Sequence, residues 1–148
     1  MLLTFMELTD REKILQTYDI YKQCMYMPTE EAVRKKIGLY LRDHAVRIYG
    51  CSDHDRITGI LVVSLAENDR AEIIGISVDP AYRNQGIGSY MINQVQKNLG
   101  ITFFYAETDD DAVRFYRKNG FVIIAFSEIH DGETVTRYRC ELRHTQCN

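Results

Sequence analysis

The segment Ile76–Gly88 constrains this chain most, because it joins an apolar strand to a helix through a loop with an arginine and two glycines. The strand ends at Asp79-Pro80, and Gly86 and Gly88 lie where the helix begins. Glycine lets backbone amides approach a ligand closely, and a helix N-terminus offers free N–H groups with about half a positive charge. The loop therefore predicts a pyrophosphate site to which Arg83 adds charge. The same residues also fit an ordinary strand-to-helix turn.

Two common nucleotide-binding classes do not fit this loop. No Gly-Lys-Ser/Thr follows it, so it is not the phosphate loop of an ATPase. Its glycines also lack the Gly-x-Gly-x-x-Gly spacing of a dinucleotide-binding turn. ATPase and dehydrogenase functions are therefore disfavoured.

Length and charge narrow the class of protein further. A chain of 148 residues predicts one domain, spanning residues 1–148. Its net charge of −3 argues against a nucleic-acid-binding protein, which needs a basic face for phosphates. No apolar run reaches the ~20 residues of a membrane span, and the N-terminus lacks the basic region of a signal peptide. These features predict a cytoplasmic protein with neither a membrane nor a nucleic-acid partner.

The cysteines predict reduced thiols, with no metal site. They are scattered, form no Cys-x-x-Cys pair and have no zinc-like spacing with histidine. The four positions are Cys24, Cys51, Cys140 and Cys147.

Hydrophobic periodicity and turn signals predict the element order β-α-α-β-β-β-α-β-α-β-β, a mixed sheet with helices on both faces. A capping box of Thr9 and Glu12 is expected to open the first helix, and Pro28-Thr29-Glu30-Glu31 the second. The predicted strands are Met1–Leu8, His44–Cys51, Ile57–Leu65, Ala71–Val78, Ile101–Ala106, Phe121–Ile129 and Glu133–Leu142, and the later helices are Gly86–Leu99 and Thr108–Asn119. Asp131-Gly132 is a strong signal for a hairpin turn.

Two segments resemble the motifs of the GNAT superfamily of N-acetyltransferases. Arg83–Gly88, with its lead-in from Val78, is similar to (Gln/Arg)-x-x-Gly-x-(Gly/Ala). Asp111–Phe121 is similar to Ala-x-x-(Phe/Leu)-Tyr-x-x-x-Gly-Phe. The order of elements agrees with the family over nearly the whole chain, although the N-terminal third matches in pattern only. The resemblance implies an α/β (α+β) fold with a mixed, mostly antiparallel sheet.

The resemblance also implies a cosubstrate, acetyl-CoA, and no metal. Acetyl-CoA is expected where the parallel strands Ala71–Val78 and Ile101–Ala106 separate, with its pyrophosphate on the glycine loop and its pantetheine along Ile76 and Val78. The implied cofactor-binding residues are Ile76, Ser77, Val78, Arg83, Asn84, Gln85, Gly86, Ile87 and Gly88. Acetyl transfer is expected by direct attack of an amine on the thioester.

Two residues are candidates for proton transfer in that reaction. Tyr116, at the family's tyrosine position, is the candidate acid for the departing thiolate, since a phenol is protonated at neutral pH. Its helical spacing from Val113 fits core packing as well. Glu72 is the candidate base; it shares strand parity with Ile76, unless a bulge near Gly75 changes the faces. A solvated glutamate at a strand start is the alternative. A strand amide near Ile76 is the candidate donor to the oxyanion.

Some positions depart from the family or remain open. The family often has an asparagine that contacts the cofactor where this chain has Glu107-Thr108-Asp109, so that contact is unassigned. The four histidines are expected on the surface, with His130, in the last hairpin, also a candidate for the substrate site.

The acceptor is predicted to be a primary amine of a small molecule. The alternatives are a protein N-terminus or lysine, or a non-catalytic acyl-CoA-binding module on the same fold. Acceptor choice is expected to depend on residues 21–29 and 128–133, and the net negative charge favours a cationic amine. Tyrosines and methionines cluster near residues 21–29, which connect the first two helices, and they fit either a pocket or core packing; they are Tyr18, Tyr21, Met25, Tyr26 and Met27. A homodimer through the last hairpin is a further implication of the resemblance.

Overall fold

A computed structural model describes residues 1–22 and 29–144. The strands are β1 (Leu3–Glu7), β2 (Val46–Asp53), β3 (Arg56–Glu67), β4 (Arg70–Val78), β5 (Phe103–Thr108), β6 (Val122–His130) and β7 (Glu133–Arg143). The α-helices of this part of the chain are α1 (Arg11–Leu15), α2 (Tyr18–Tyr21), α3 (Glu30–Arg42), α4 (Ile87–Leu99) and α5 (Val113–Lys118). A 3₁₀ turn, Pro80–Tyr82, lies between β4 and α4.

The strands form one sheet in the order β1-β2-β3-β4-β5-β7-β6. All its strand pairs are antiparallel apart from β4 and β5, which are parallel. A parallel pair needs a crossover connection, and α4 supplies it. The predicted mixed, mostly antiparallel α+β sheet is confirmed.

Alternation along β3 divides the core into two layers, one on each face of the sheet. Ile60 and Val62 pack in a cluster with residues of α1, α2 and α3, and we call this side the α1–α3 face. Leu61 and Val63 pack in a cluster with residues of α4 and α5 on the opposite side, the α4–α5 face. Successive side chains of a strand point to opposite faces, so one strand supplies both layers.

The first predicted helix starts and ends differently in the structure. Asp10, and not Thr9, is the N-cap, because its carboxylate accepts a hydrogen bond from the Glu12 amide at 2.9 Å. The helix is also interrupted at Thr17, whose amide and hydroxyl both donate to the Ile14 carbonyl, at 2.9 and 2.6 Å. Side-chain bonds of this kind compete with helical ones, which explains the two short helices α1 and α2.

The helix predicted from Thr108 begins later, at Val113. The Asp109 carboxylate accepts a hydrogen bond from the Asp111 amide at 3.0 Å, which closes a local turn. Aspartate favours such turns, so the acidic run precedes the helix and is not its first turn.

The start of α4 packs tightly against α5. A Cβ atom on Gly88 would lie 2.6 Å from Cε2 of the Phe115 ring, far inside van der Waals contact. The Ser89 hydroxyl donates to the Asn119 side-chain oxygen, and the Asn119 amide group donates to the Phe115 carbonyl at 2.8 Å. Gly88 is therefore needed for the approach of two helices.

We expect Gly88→Ala to lower the free energy of unfolding by about 1–3 kcal/mol, the usual cost of overpacking. Urea denaturation measures this loss. In the control, Gly38→Ala, the added Cβ meets only the end of the Arg42 side chain at 3.9 Å, so helix propensity should raise stability by ~0.5–1 kcal/mol. Combining Gly88→Ala with Phe115→Leu should recover part of the loss; strictly additive losses would contradict the steric explanation.

Candidate active site

The parallel strands β4 and β5 separate soon after they begin to pair. Their register contains three positions, of which Glu72 opposite Tyr105 is the last. Beyond it β4 continues beside β3 to Val78, and β5 continues beside β7 to Thr108. The result is a V-shaped opening, which we call the wedge, with its apex at Glu72 and Tyr105. This is the separation expected between these strands.

A β-bulge interrupts β4 beside the wedge. Against β3, Ile73 pairs with Val63 and Gly75 with Val62, so Ile74 has no partner in the register. A bulge inserts one residue and changes which face the following side chains occupy.

The bulge decides which face of the sheet Glu72 occupies. Ile73 and, beyond the bulge, Ile76 and Val78 all pack on the α4–α5 face. Glu72 precedes Ile73, so its side chain lies on the opposite, α1–α3 face. Simple strand parity, which would place Glu72 on the face of Ile76 and Val78, therefore fails, because a bulge of the kind considered near Gly75 occurs at Ile74 and reverses the alternation.

Glu72 remains half-buried at the apex of the wedge. Within the described chain its carboxylate has no hydrogen-bond or ion-pair partner. A carboxylate in this position is available to a ligand that approaches from the α1–α3 face.

Tyr21 of α2 covers the bulge on that same face. Its Cε2 atom lies 3.2 Å from the position a Cβ of Gly75 would occupy, and the residue is only 2% exposed. Its hydroxyl donates to the Tyr40 hydroxyl at 3.0 Å. Gly75 thus leaves space for an aromatic ring next to the wedge, a contact that the isolated strand glycine did not specify. Met25, Tyr26 and Met27 lie outside the described residues.

The glycine loop lies at the open end of the wedge, where β4 ends. Asn84 and Gly86 have positive φ angles of 62° and 80°, and Gly86 is the N-cap of α4. In the described structure no backbone amide of residues 84–89 has an acceptor. A Cβ atom on Gly86 would have nothing within 4 Å. Unpaired amides around an open, left-handed glycine fit an anionic group such as a pyrophosphate.

Arg83 lies against the strand that precedes this loop. Its Nε donates to the Val78 carbonyl at 3.3 Å, and its side chain is exposed. The residue therefore adds positive charge beside the unpaired amides.

Polar contacts from β2 and β3 hold the loop in place. The Asp79 carboxylate accepts hydrogen bonds from the Ala81 amide at 3.0 Å and from Arg56 Nη2 at 2.9 Å. The Tyr82 hydroxyl donates to Asp53 at 3.3 Å, and the Arg56 guanidinium lies 5.3 Å from the Tyr82 ring centre. These contacts fix the turn before Arg83.

We expect acid to weaken the contacts that Asp79 makes with Ala81 and Arg56. The Ala81 amide, followed by the Arg56 guanidinium, lowers the pKa of Asp79. Because the folded pKa lies below the unfolded one, Asp79 stabilises the fold above its unfolded pKa, and this contribution is lost as pH falls through the folded pKa. Between pH 7 and 3, Asp79→Asn should therefore lose less thermal stability than wild type. Asp55→Asn, at an exposed carboxylate without a described partner, should follow wild type; an Asp79→Asn curve parallel to wild type would contradict this account.

Tyr116 is buried on the α4–α5 face, with 5% exposure. Its ring meets Phe115 and Phe121 edge-on, with centroids 5.2 and 5.1 Å away. It belongs to the same cluster as Ala106 of β5 and Ile73 of β4, the strands that form the wedge. Core packing is thus established, and Tyr116 and Glu72 lie on opposite faces of the sheet.

The remaining candidates lie further from the wedge or are already engaged. Thr108 is half-buried at the end of β5, and Asp109 closes the turn before α5. All four histidines are exposed, as expected, and His130 pairs with Glu128 at 2.8 Å. Cys51 and Cys140 are free and buried, and burial raises the pKa of both thiols. Cys24 and Cys147 lie outside the described residues.

Two further properties concern the described part of the chain. Its histidines, cysteines and carboxylates form no group of three or more suited to a metal ion. None of its helices is long and apolar enough to cross a membrane.

Comparison with known proteins decides the family. The family model for the GNAT acetyltransferase family matches residues 14–121, which include the wedge, the glycine loop and α5. This chain belongs to the GNAT acetyltransferase family. It is accordingly an acetyltransferase that depends on acetyl-CoA. The comparison with curated proteins gives no significant match.

Solved structures share the fold of this GNAT acetyltransferase at low sequence identity. The ribosomal-protein-S18-alanine N-acetyltransferase of Escherichia coli has a TM-score of 0.75 and 15% identity, covering 99% of this chain and 97% of its own. A spermidine N-acetyltransferase variant of Vibrio cholerae has a TM-score of 0.70 and 16% identity, covering 95% and 93%. A GNAT acetyltransferase of Elizabethkingia anophelis with acetyl-CoA bound has a TM-score of 0.68 and 21% identity, covering 95% and 97%.

Proposed function

We propose that this GNAT acetyltransferase transfers the acetyl group of acetyl-CoA to a primary amine of a small molecule, by direct attack of the amine. The observation that carries the proposal is the wedge between β4 and β5, with the unpaired amides of residues 84–89 at its open end. The anion site at the open end suits the phosphates of a long thioester. The free carboxylate of Glu72 at the apex suits an amine, which would meet the thioester there.

The residues around the wedge fit acetyl-CoA. The open position at Gly86 admits a pyrophosphate close to the backbone, and Arg83 adds charge. The backbone of β4 beyond the bulge, Ile76 to Val78, would run beside pantetheine. The full set we propose is Ile76, Ser77, Val78, Arg83, Asn84, Gln85, Gly86, Ile87 and Gly88. No step of the proposed reaction uses a metal.

The mechanism divides proton transfer between the two faces of the sheet. When bound, acetyl-CoA supplies an activated thioester. Glu72, on the α1–α3 face, would accept a proton from the ammonium group, which has no lone pair for attack until it is deprotonated. Tyr116, on the α4–α5 face, would donate a proton to the thiolate. A backbone amide near Ile76 would donate a hydrogen bond to the carbonyl oxygen as it gains negative charge.

A small acceptor is favoured by the shape of the α1–α3 face at the apex. A depression of about 240 Å³ reaches the apex at Tyr105 and is otherwise lined by Glu67, Arg70 and Arg139. This volume is below the range usual for drug-sized ligands and suits a metabolite. If the acceptor were a protein N-terminus or lysine, only one residue of it would fit into this depression. If the protein were a non-catalytic module, Glu72 would have no role.

The remaining expectations concern the setting of the reaction. We propose a cytoplasmic enzyme, in keeping with the free thiols of Cys51 and Cys140. The homodimer implied by the resemblance would use β6, the edge strand, on which Val122 and Ile124 are exposed.

Release of the CoA thiol tests this function, with a panel of small amines and matched peptides as acceptors. We expect turnover with at least one small amine, and a loss of about 100-fold or more in kcat for Glu72→Gln, the usual contribution of a general base. Glu31→Gln, at an exposed carboxylate on α3, is the control and should match wild type. Acetylation of peptides alone would favour the protein-modifying alternative, and equal rates for both variants would remove Glu72 from the mechanism.

A further inference from the structure

Two arginines line the depression at the apex of the wedge, Arg70 from β4 and Arg139 from β7. In the sheet register Arg70 is opposite Phe103, Glu72 is opposite Tyr105, and Arg139 is opposite Glu107. Directly opposed residues place their side chains on one face, so both guanidinium groups lie on the α1–α3 face with Glu72.

Aromatic rings fix the two guanidinium groups. The Arg70 guanidinium lies 4.5 Å from the Phe103 ring centre, and that of Arg139 lies 4.7 Å from the Tyr105 ring centre. Stacking on an aromatic face orients the planar fork of an arginine and lowers the entropy that binding would cost. The two cations are therefore held in place before a ligand arrives.

Among the described residues, the terminal nitrogens of both arginines form ion pairs but no hydrogen bonds. In the part of the chain that the structure describes, neither Arg70 nor Arg139 donates a hydrogen bond from an Nη atom. Their closest Nη contacts to acids are long: 3.7 Å from Arg70 to Glu67 and 3.8 Å from Arg139 to Glu107. Arg139 bonds Glu141 at 3.1 Å through Nε alone. The carboxylates of Glu67, Glu107 and Glu141 offset the positive charge of the two guanidinium groups. The Nη–H groups still have no hydrogen-bond acceptor within the described chain.

We propose that the acceptor carries a carboxylate as well as its amine, and that Arg139 and Arg70 bind this carboxylate while Glu72 faces the amine. A carboxylate is planar and accepts two parallel N–H bonds, which matches the open fork of a guanidinium. Glu72 does not line the depression, but it lies beside it, opposite Tyr105 and two residues after Arg70 on the same face. A free base next to a depression with two guanidinium groups suits the opposite ends of a zwitterion. The inference rests on the proposed acetyl transfer and names the acceptor class: an amino acid or a close analogue.

The kinetic test compares L-amino acids (alanine, phenylalanine, glutamate and lysine) with their α-carboxamides, which keep the amine and remove the charge. We expect wild type to favour at least one acid over its amide by tenfold or more in kcat/KM. The difference should come from a lower KM for the acid, with similar kcat values. Arg139→Gln should abolish this preference, and Arg139→Lys should restore it only in part because the ammonium lacks the fork. Arg137→Gln, on the same strand and face but outside the depression, should keep it. Equal use of acids and amides by wild type would overturn the inference and leave acetyl transfer standing.

A binding test is independent of turnover. Without acetyl-CoA, the N-acetylated forms of the same amino acids should raise the unfolding temperature of wild type and of Arg137→Gln, and their N-acetyl amides should not. Arg139→Gln and Arg70→Gln should lose the response. A response to acids that both glutamine variants retain would place the carboxylate elsewhere, and no response in wild type would also overturn the proposal. Failure of every amine to be acetylated, with the binding response present, would count against acetyl transfer and not against the carboxylate site.

Discussion

Replacing Gly86 with glutamate should weaken acetyl-CoA binding by at least about 100-fold. The glutamate side chain would enter the open space above the unpaired amides of residues 84–89, where we place the pyrophosphate. Juxtaposing like charges in an interface costs several kcal/mol, and each 1.4 kcal/mol is a factor of ten in affinity. Isothermal titration calorimetry with acetyl-CoA measures the effect.

The β6–β7 hairpin provides a matched control for that change. Gly132 has the same φ of 80° as Gly86, and a Cβ there would also have nothing within 4 Å. Glutamate at either position carries the same backbone strain, so Gly132→Glu should lower stability similarly and leave affinity unchanged. Normal binding by a folded Gly86→Glu protein would show that the pyrophosphate does not occupy this loop.

Removing the Tyr116 hydroxyl should lower kcat by about 100-fold and change the dissociation constant of acetyl-CoA by less than twofold. Tyr116→Phe keeps the ring between Phe115 and Phe121 and removes only the group that would protonate the thiolate. General acids contribute roughly 10²–10⁴ to a rate. Single-turnover kinetics together with calorimetry separate the loss of chemistry from any loss of binding.

Tyr49→Phe is the control for this variant. Tyr49 is also 5% exposed and lies in the same cluster, stacked on Phe5 with centroids 5.0 Å apart. Each substitution removes one hydroxyl from a buried phenol, so the effects on stability should be of similar size. If the two variants lose the same fraction of kcat, Tyr116 serves packing alone.

The order of elements was predictable because each signal for it is local. Each of these signals depends on only a few neighbouring residues. They include the alternation of apolar residues in strands, the Asp131-Gly132 turn and the glycine that follows a helix. At Asp131 and Gly132 the φ angles of 51° and 80° fit the type I′ turn that such a pair favours. The glycine loop was recognisable for the same reason, since its residues are consecutive.

Two kinds of detail were not predictable: a choice between neighbouring residues that suit the same position, and a contact between residues far apart in the sequence. Thr9 and Asp10 both suit an N-cap, and only the geometry of the chain chose Asp10. The face of Glu72 depends on a bulge at Ile74, whose position is set by pairing with β3. The arginines of the depression come from β4 and β7, which are far apart in sequence. Their alignment follows from strand register and has no local signal.

Thermal unfolding with and without acetyl-CoA tests the central claim, that the wedge and its glycine loop bind this cosubstrate. At about 100 times its dissociation constant, a ligand adds ~2.7 kcal/mol to the free energy of unfolding. For a domain of this size that should raise the unfolding midpoint by roughly 5–10 °C, and ATP at the same concentration should leave it unchanged. An unchanged midpoint at millimolar acetyl-CoA would contradict the proposed site.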